Sequence, residues 1–281
     1  THQITRLTDG PTQAARPLWS SDGQLILHTA LEGANIDTGM HVQAYWVAAP
    51  DGAGVTLVHE GEDELIGWTS AREFALTSTD TFCGEHDLRI VGLGGGERTI
   101  WRDYLDRVGV DPESGTVLVA LWGETASCDD GQVPGLYLTN TDGAAPIRIV
   151  EDEVREIVWS PGAQLFFART DYGILAVALS GEFIDLAVPE GSTDFPQVAP
   201  GTRELAWRGA GLWVSALTSS LDHPPQQIYP DRTIQAQWTP DGAHVLFITA
   251  EGSLHIAERP DFVPVRVTEI GSASSAVWVV P

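Results

Sequence analysis

Lysine is absent. All the positive charge of this 281-residue chain comes from fifteen arginines, set against 39 acidic residues, for a net charge of −24. Such a field repels phosphate backbones and anionic membrane surfaces, which excludes nucleic acid as a partner and favours a cationic one. No apolar run approaches the roughly 18 residues that a membrane-spanning helix needs, and nothing reads as a signal peptide. The chain opens at Thr1 inside a strand-like stretch. The expectation is a mature chain or excised domain in the periplasm or outside the cell, anchored if at all through sequence beyond it.

Other absences narrow the chemistry. Cys83 and Cys128 are the only cysteines, and neither belongs to a Cys-x-x-Cys pair, so they do not build a metal site. There is no Gly-x-Ser-x-Gly elbow, and no Ser, His and Asp are joined by a motif. The eight histidines show neither His-x-x-His nor His-Glu-x-x-His spacing. Acidic loops have the chemistry to take calcium, but no stretch has the ligand spacing of a calcium loop. The expectation is no metal, no cofactor and no enzyme.

What is present is a repeat. Pro17-Leu18-Trp19-Ser20-Ser21-Asp22-Gly23, followed by the apolar run Leu25–His28, returns as Ile157-Val158-Trp159-Ser160-Pro161-Gly162 before Leu165–Phe167. It returns again as Ala236-Gln237-Trp238-Thr239-Pro240-Asp241-Gly242 before Val245–Ile248. Aligned on the tryptophan, the column reads Trp19, Trp68, Val110, Trp159, Val198, Trp238 and Trp278. These spacings match the about 40–50 residues of a four-stranded propeller blade. Each unit reads as a tryptophan-bearing first strand, a turn in which Gly accepts positive φ, a buried second strand, a third strand, and a more polar fourth.

Six complete units predict an all-β, six-bladed propeller of four-stranded antiparallel blades, forming one domain over 1–281. The 43% hydrophobic content suffices for its core. Gln3–Gly10 reads as an extra fourth strand and Ala276–Val280 as an extra first strand. A seventh, partial blade made from the two termini is therefore the alternative.

Leu7-Thr8-Asp9-Gly10 followed by Pro17–Gly23 resembles the repeat of the TolB propeller domain, and more broadly the WD40-like propellers of the bacterial envelope and of prolyl oligopeptidase-type peptidases. The resemblance covers nearly the whole chain and implies the fold. The additional α/β domain of TolB and the hydrolase domain of the peptidases have no counterpart here, so the resemblance carries no activity.

In a meander, the connections between second and third strands share a face with those between blades. The former are long in the first three units (Ala30–His41, Ser78–Asp87, Gly123–Val133) and short in the last three (170–173, 208–211, 250–253). That face is also acidic. Its candidate partner-binding residues are Glu62, Asp63, Glu64, Asp87, Glu124, Asp129, Asp130, Glu151, Asp152 and Glu153. Cys83 and Cys128 fall in adjacent long loops, where a disulfide is geometrically reasonable and two free thiols are the alternative.

The reading is a non-enzymatic extracytoplasmic module that binds a protein, cationic in character, through this face. One alternative is a carbohydrate-binding or carbohydrate-active propeller with Asp103, Asp106, Glu156 and Asp194 at a channel mouth, although Glu156 and Arg107 also read as a structural ion pair. Another is a structural subunit of a surface assembly. Trp46, Trp101, Trp122, Trp207 and Trp213 lie off the column and read as partner anchors or as strand-end packing.

Overall fold

The computed structural model describes residues 14–34, 41–78, 86–103, 105–121, 134–192, 194–218 and 224–268. These residues form six four-stranded sheets, each an antiparallel meander with its strands in chain order. Blade 1 holds β1 (Ala14–Trp19), β2 (Ile26–Ala34), β3 (His41–Ala48) and β4 (Thr56–Gly61). Blade 2 holds β5 (Glu64–Trp68), β6 (Glu73–Thr77), β7 (His86–Gly92) and β8 (Glu97–Asp103). Blade 3 holds β9 (Leu105–Val110), β10 (Thr116–Leu121), β11 (Gly135–Asn140) and β12 (Ile147–Val150). Blade 4 holds β13 (Val154–Ser160), β14 (Leu165–Thr170), β15 (Ile174–Ala178) and β16 (Phe183–Asp185). Blade 5 holds β17 (Gln197–Val198), β18 (Glu204–Arg208), β19 (Leu212–Ala216) and β20 (Gln226–Tyr229). Blade 6 holds β21 (Thr233–Trp238), β22 (His244–Thr249), β23 (Leu254–Glu258) and β24 (Val263–Arg266). The chain divides into two compact units, Thr1–Ile157 and Val158–Pro281, with the boundary inside β13. Gln3–Gly10, Ala276–Val280 and Trp278 lie outside the described residues.

Period-two alternation sends successive side chains of a strand to opposite neighbours. In β6, Phe74 and Leu76 pack with Leu27, Tyr45 and Val47 of blade 1. Ala75 between them packs with Val117 and Val119 of blade 3. In β18, Leu205 and Trp207 join Phe167 and Ala176 of blade 4, whereas Ala206 joins Phe247 and Trp238 of blade 6. Buried on both faces, the second strands are nearly continuous apolar runs, as in Val117–Leu121 and Val245–Thr249. The fourth strands carry few buried residues, which suits a sheet edge.

The turn after the first strand is built by its own side chains. Ser20 Oγ donates to Asp22 Oδ1 (2.7 Å) and accepts from the Leu25 amide (2.9 Å), while Asp22 Oδ1 also accepts from the Gln24 amide (3.0 Å). Thr239 and Asp241 repeat the arrangement: Thr239 Oγ1 donates to Asp241 (2.5 Å) and accepts from the His244 amide (2.9 Å). Gly23 and Gly242 both sit at φ +67, where a Cβ is penalised. These bonds hold both carboxyls below the usual Asp value, chiefly through the Ser20 and Thr239 hydroxyls.

Two tryptophans of the column couple neighbouring blades. Trp68 Nε1 donates to the Leu18 carbonyl of blade 1 (3.0 Å), and Trp238 Nε1 donates to the Gln197 carbonyl of blade 5 (3.0 Å). Both acceptors stand one residue before the preceding blade's column position. Trp19 departs from the expectation of a buried wedge and is 57% exposed.

Candidate docking face

Strands alternate direction, so the β4–β5 and β12–β13 connections leave their sheets at the same end as the β2–β3, β6–β7 and β10–β11 hairpins. All of these belong to the first unit. The hairpin connections span residues 35–40, 78–85 and 122–134, against 171–173, 209–211 and 250–253 in blades 4 to 6. The first is shorter than the sequence suggests, because β2 runs on to Ala34, paired with His41. Glu124, Asp129 and Asp130 lie outside the described residues, as do Cys83, Cys128 and Trp122.

Asp63 does not project outward. It is 7% exposed, and its carboxylate receives His59 Nε2 (2.7 Å) and an Arg89 guanidinium nitrogen. Arg89 also donates to Glu97 Oε1 (2.7 Å). The buried Tyr45 hydroxyl donates to the Asp63 carbonyl. Burial pushes the Asp63 carboxyl up, but His59 and Arg89 more than offset this and hold it below the ordinary Asp value. Burial pushes the Tyr45 hydroxyl up, reinforced by the Asp63 and Glu64 charges. Asp63 is thus part of the joint between blades 1 and 2 and is not available to a partner. No pattern in the sequence marks this: it reads as one more acid in Glu60–Glu64, because its partners come from β3, β4 and β7.

Around that anchor the acids face solvent to different degrees. Glu64 is exposed and lies 3.4 Å from Arg16. Glu62 is half-buried. Asp87 is gripped by Arg102 through two bonds, of 2.6 and 3.1 Å, which hold its carboxyl below the usual value. Glu151 is highly exposed and 3.1 Å from Arg148, and Asp152 and Glu153 are exposed beside it. Arg148 in turn donates to the Pro134 carbonyl (2.5 Å), tying this connection to the end of the long β10–β11 hairpin. Gly135 permits that approach: its φ is +148, and a Cβ there would meet Arg148 Nε at 3.0 Å.

Two members of the alternative acidic set are matched by arginines. Asp106 is largely buried and paired with Arg107 (2.6 Å), whose Nε donates to the Arg155 carbonyl (3.0 Å). Asp194 pairs with Arg208 (2.7 Å) and belongs to the second unit. Asp103 closes β8, and Glu156 is exposed on β13. Among the described residues no three His, Cys, Asp or Glu side chains are placed to hold a metal ion. No helix among them is long and apolar enough to cross a membrane.

Three of the off-column tryptophans contribute to packing. Trp207 is fully buried and donates to Ser215 Oγ (2.8 Å). Trp101 meets Tyr137 edge-on at 5.7 Å, and Trp213 packs at the margin of the core between blades 4 and 5.

No family model and no curated protein matches the sequence. Solved structures do. An oligogalacturonate lyase from Vibrio parahaemolyticus is 14% identical, with 91% of this chain and 93% of that one covered and a TM-score of 0.53. The β-propeller domain of the Trilobed protease from Pyrococcus furiosus is 11% identical, with 92% and 85% covered and a TM-score of 0.55. AztD from Citrobacter koseri is 15% identical, with 90% and 74% covered and a TM-score of 0.54. At these identities the likeness speaks for the fold alone. Together with the six antiparallel meanders it makes the chain an all-β, six-bladed propeller.

Proposed function

We propose that this propeller is a non-enzymatic, TolB-like interaction module of the periplasm or cell exterior. It would present the acidic long-loop face of blades 1 to 3 to a cationic protein partner. The observation that carries the reading is the asymmetry of the hairpins, which are long only in the unit whose interblade connections carry Glu60–Glu64 and Glu151–Glu153. Loops of that kind on a rigid scaffold are where binding residues concentrate. The connections are pre-ordered by Asp63 and Arg148, which lowers the entropy lost on docking. Rim carboxylates would steer a cationic partner and give an association rate that falls with salt.

The test is capture from an envelope extract by wild type, by a Glu62→Arg/Asp152→Arg variant, and by a control with Glu190→Arg/Glu251→Arg in the second unit. Partners bound by wild type and control but lost by the first variant, by about ten-fold or more, are the expected result. Equal capture by all three removes the proposal.

The lyase among the neighbours keeps a carbohydrate reading as the second choice, since it matches over nearly its whole length. A glycan array and a glycoside screen decide it: binding or turnover abolished by Asp103→Asn or Asp194→Asn would favour that reading.

A further inference from the structure

Among the described residues two aspartates are buried, Asp63 and Asp111, and they do different work. Asp111 is satisfied within its own turn, by the Glu113 and Ser114 amides (3.0 and 3.1 Å) and the Ser114 hydroxyl. Asp63 is satisfied across a joint: His59 comes from β4, Arg89 from β7, and the Tyr45 hydroxyl reaches its carbonyl from β3. Beneath this polar layer lies the apolar core of the joint, with Leu27, Tyr45, Trp68, Phe74 and Leu76 all buried.

We propose that Asp63 is the pin of an acid-operated latch between blades 1 and 2. Ionised, it clasps the Glu60–Glu64 connection to β7. Protonated, it releases that connection while the apolar core below stays packed.

The geometry explains why one proton suffices. An ionised carboxylate only accepts, so His59 Nε2 must carry the hydrogen that it shares with Asp63. His59 donates from that atom whether the ring is neutral or charged, so its own protonation leaves the bond in place. A protonated Asp63 loses its charge and turns one of its two accepting oxygens into a hydroxyl that faces a donor, so it can accept from Arg89 or from His59 but not from both. Arg89 then keeps its carboxylate bond to Glu97 and holds the connection through a neutral oxygen at most.

Two further carboxylates around the joint are already engaged, and Glu60 and Glu62 lie in the connection itself. Asp87 is paired with Arg102 and Glu64 with Arg16, and Tyr45 stays neutral across this range. The sign follows from the depressed carboxyl: the clasp is complete above the ordinary Asp value and lost as pH falls through the lower folded value. Blades 2 and 3 meet through Leu88, Ile90, Val117 and Val119. The latch stands whether or not a partner docks on the rim above it.

Hydrogen exchange read by mass spectrometry, with labelling times scaled to the intrinsic rate, tests it. In wild type, protection of the 59–66 segment should fall about ten-fold per pH unit once Asp63 protonates, with β6 and β10 still protected. In Asp63→Asn the segment should already be open at pH 6 and show no further pH dependence. Parallel profiles for the two proteins overturn the latch, as does a wild type in which loop and strands lose protection in one transition. Should Asp63→Asn fail to fold, Gly61→Ala serves. Its Cβ would stand 2.9 Å from Asp63 Oδ2 and 3.2 Å from His59 Nε2, so its opening should move to higher pH. An unmoved or lowered transition there refutes the latch.

Discussion

Trp68 and Trp238 combine two roles at one position. Each ring fills the space beside the preceding blade, and each indole N–H finds a main-chain carbonyl of that blade. The two contributions separate experimentally. Trp68→Phe keeps most of the apolar volume and should lower stability by about 1 kcal/mol for the lost bond. Trp68→Ala should lower it by about 3–5 kcal/mol for the cavity. Urea-denaturation midpoints at constant slope give both values. The column itself is legible in the sequence because a large aromatic that recurs every few tens of residues, each time just before a turn, marks a repeated structural unit. Asp63 is not, since nothing in a linear pattern shows that the third of four clustered acids turns inward to meet an arginine 26 positions later.

The repeated element is the strand–turn–strand hairpin, and its chemistry is local. Hydroxyl, carboxylate and glycine at fixed offsets determine the turn, and the strands on either side emerge close to where the residue pattern sets them. β2 outruns its apolar stretch because antiparallel pairing with β3 continues past the last buried position. β16 ends at Asp185; beyond it the Leu186 amide still donates to the Ile174 carbonyl (2.9 Å) while its side chain joins the core of the next joint.

Context also distinguishes turns with equal backbones. Gly23 and Gly242 share a φ of +67; a Cβ on Gly23 meets nothing within 4 Å, whereas on Gly242 it would lie 2.6 Å from the Pro200 carbonyl oxygen of blade 5. Gly23→Ala should therefore lower stability by about 1–2 kcal/mol from backbone strain alone. Gly242→Ala should cost clearly more, because a neighbouring main chain must move. Denaturation of the two variants side by side checks the order.

At the scale of the whole chain, a net charge of −24 and two buried histidines make opposite demands in mild acid. Protonating surface groups relieves self-repulsion. His28 in the first unit and His255 in the second are lowered below the ordinary imidazole value, in both cases chiefly by burial. The unfolded chain takes up their protons first, so their contribution to stability is complete above about pH 6.5 and declines as pH falls below it. In 1 M salt, where the screening length is about 3 Å, the histidine effect should dominate. The thermal midpoint should drop between pH 7 and pH 5, and His28→Leu with His255→Phe should flatten that slope. Asp63 stays ionised over this interval, so the loss should precede any opening at the joint between blades 1 and 2.

The indole bonds have one more consequence. Their acceptors are peptide oxygens, which every amino acid supplies: leucine offers one in blade 1, glutamine in blade 5. Side-chain identity beside each column position is therefore free to drift without weakening the fastening. A backbone fastened this way can be specified by very different sequences, as in the 11–15% agreement with propellers that align along nine-tenths of this chain.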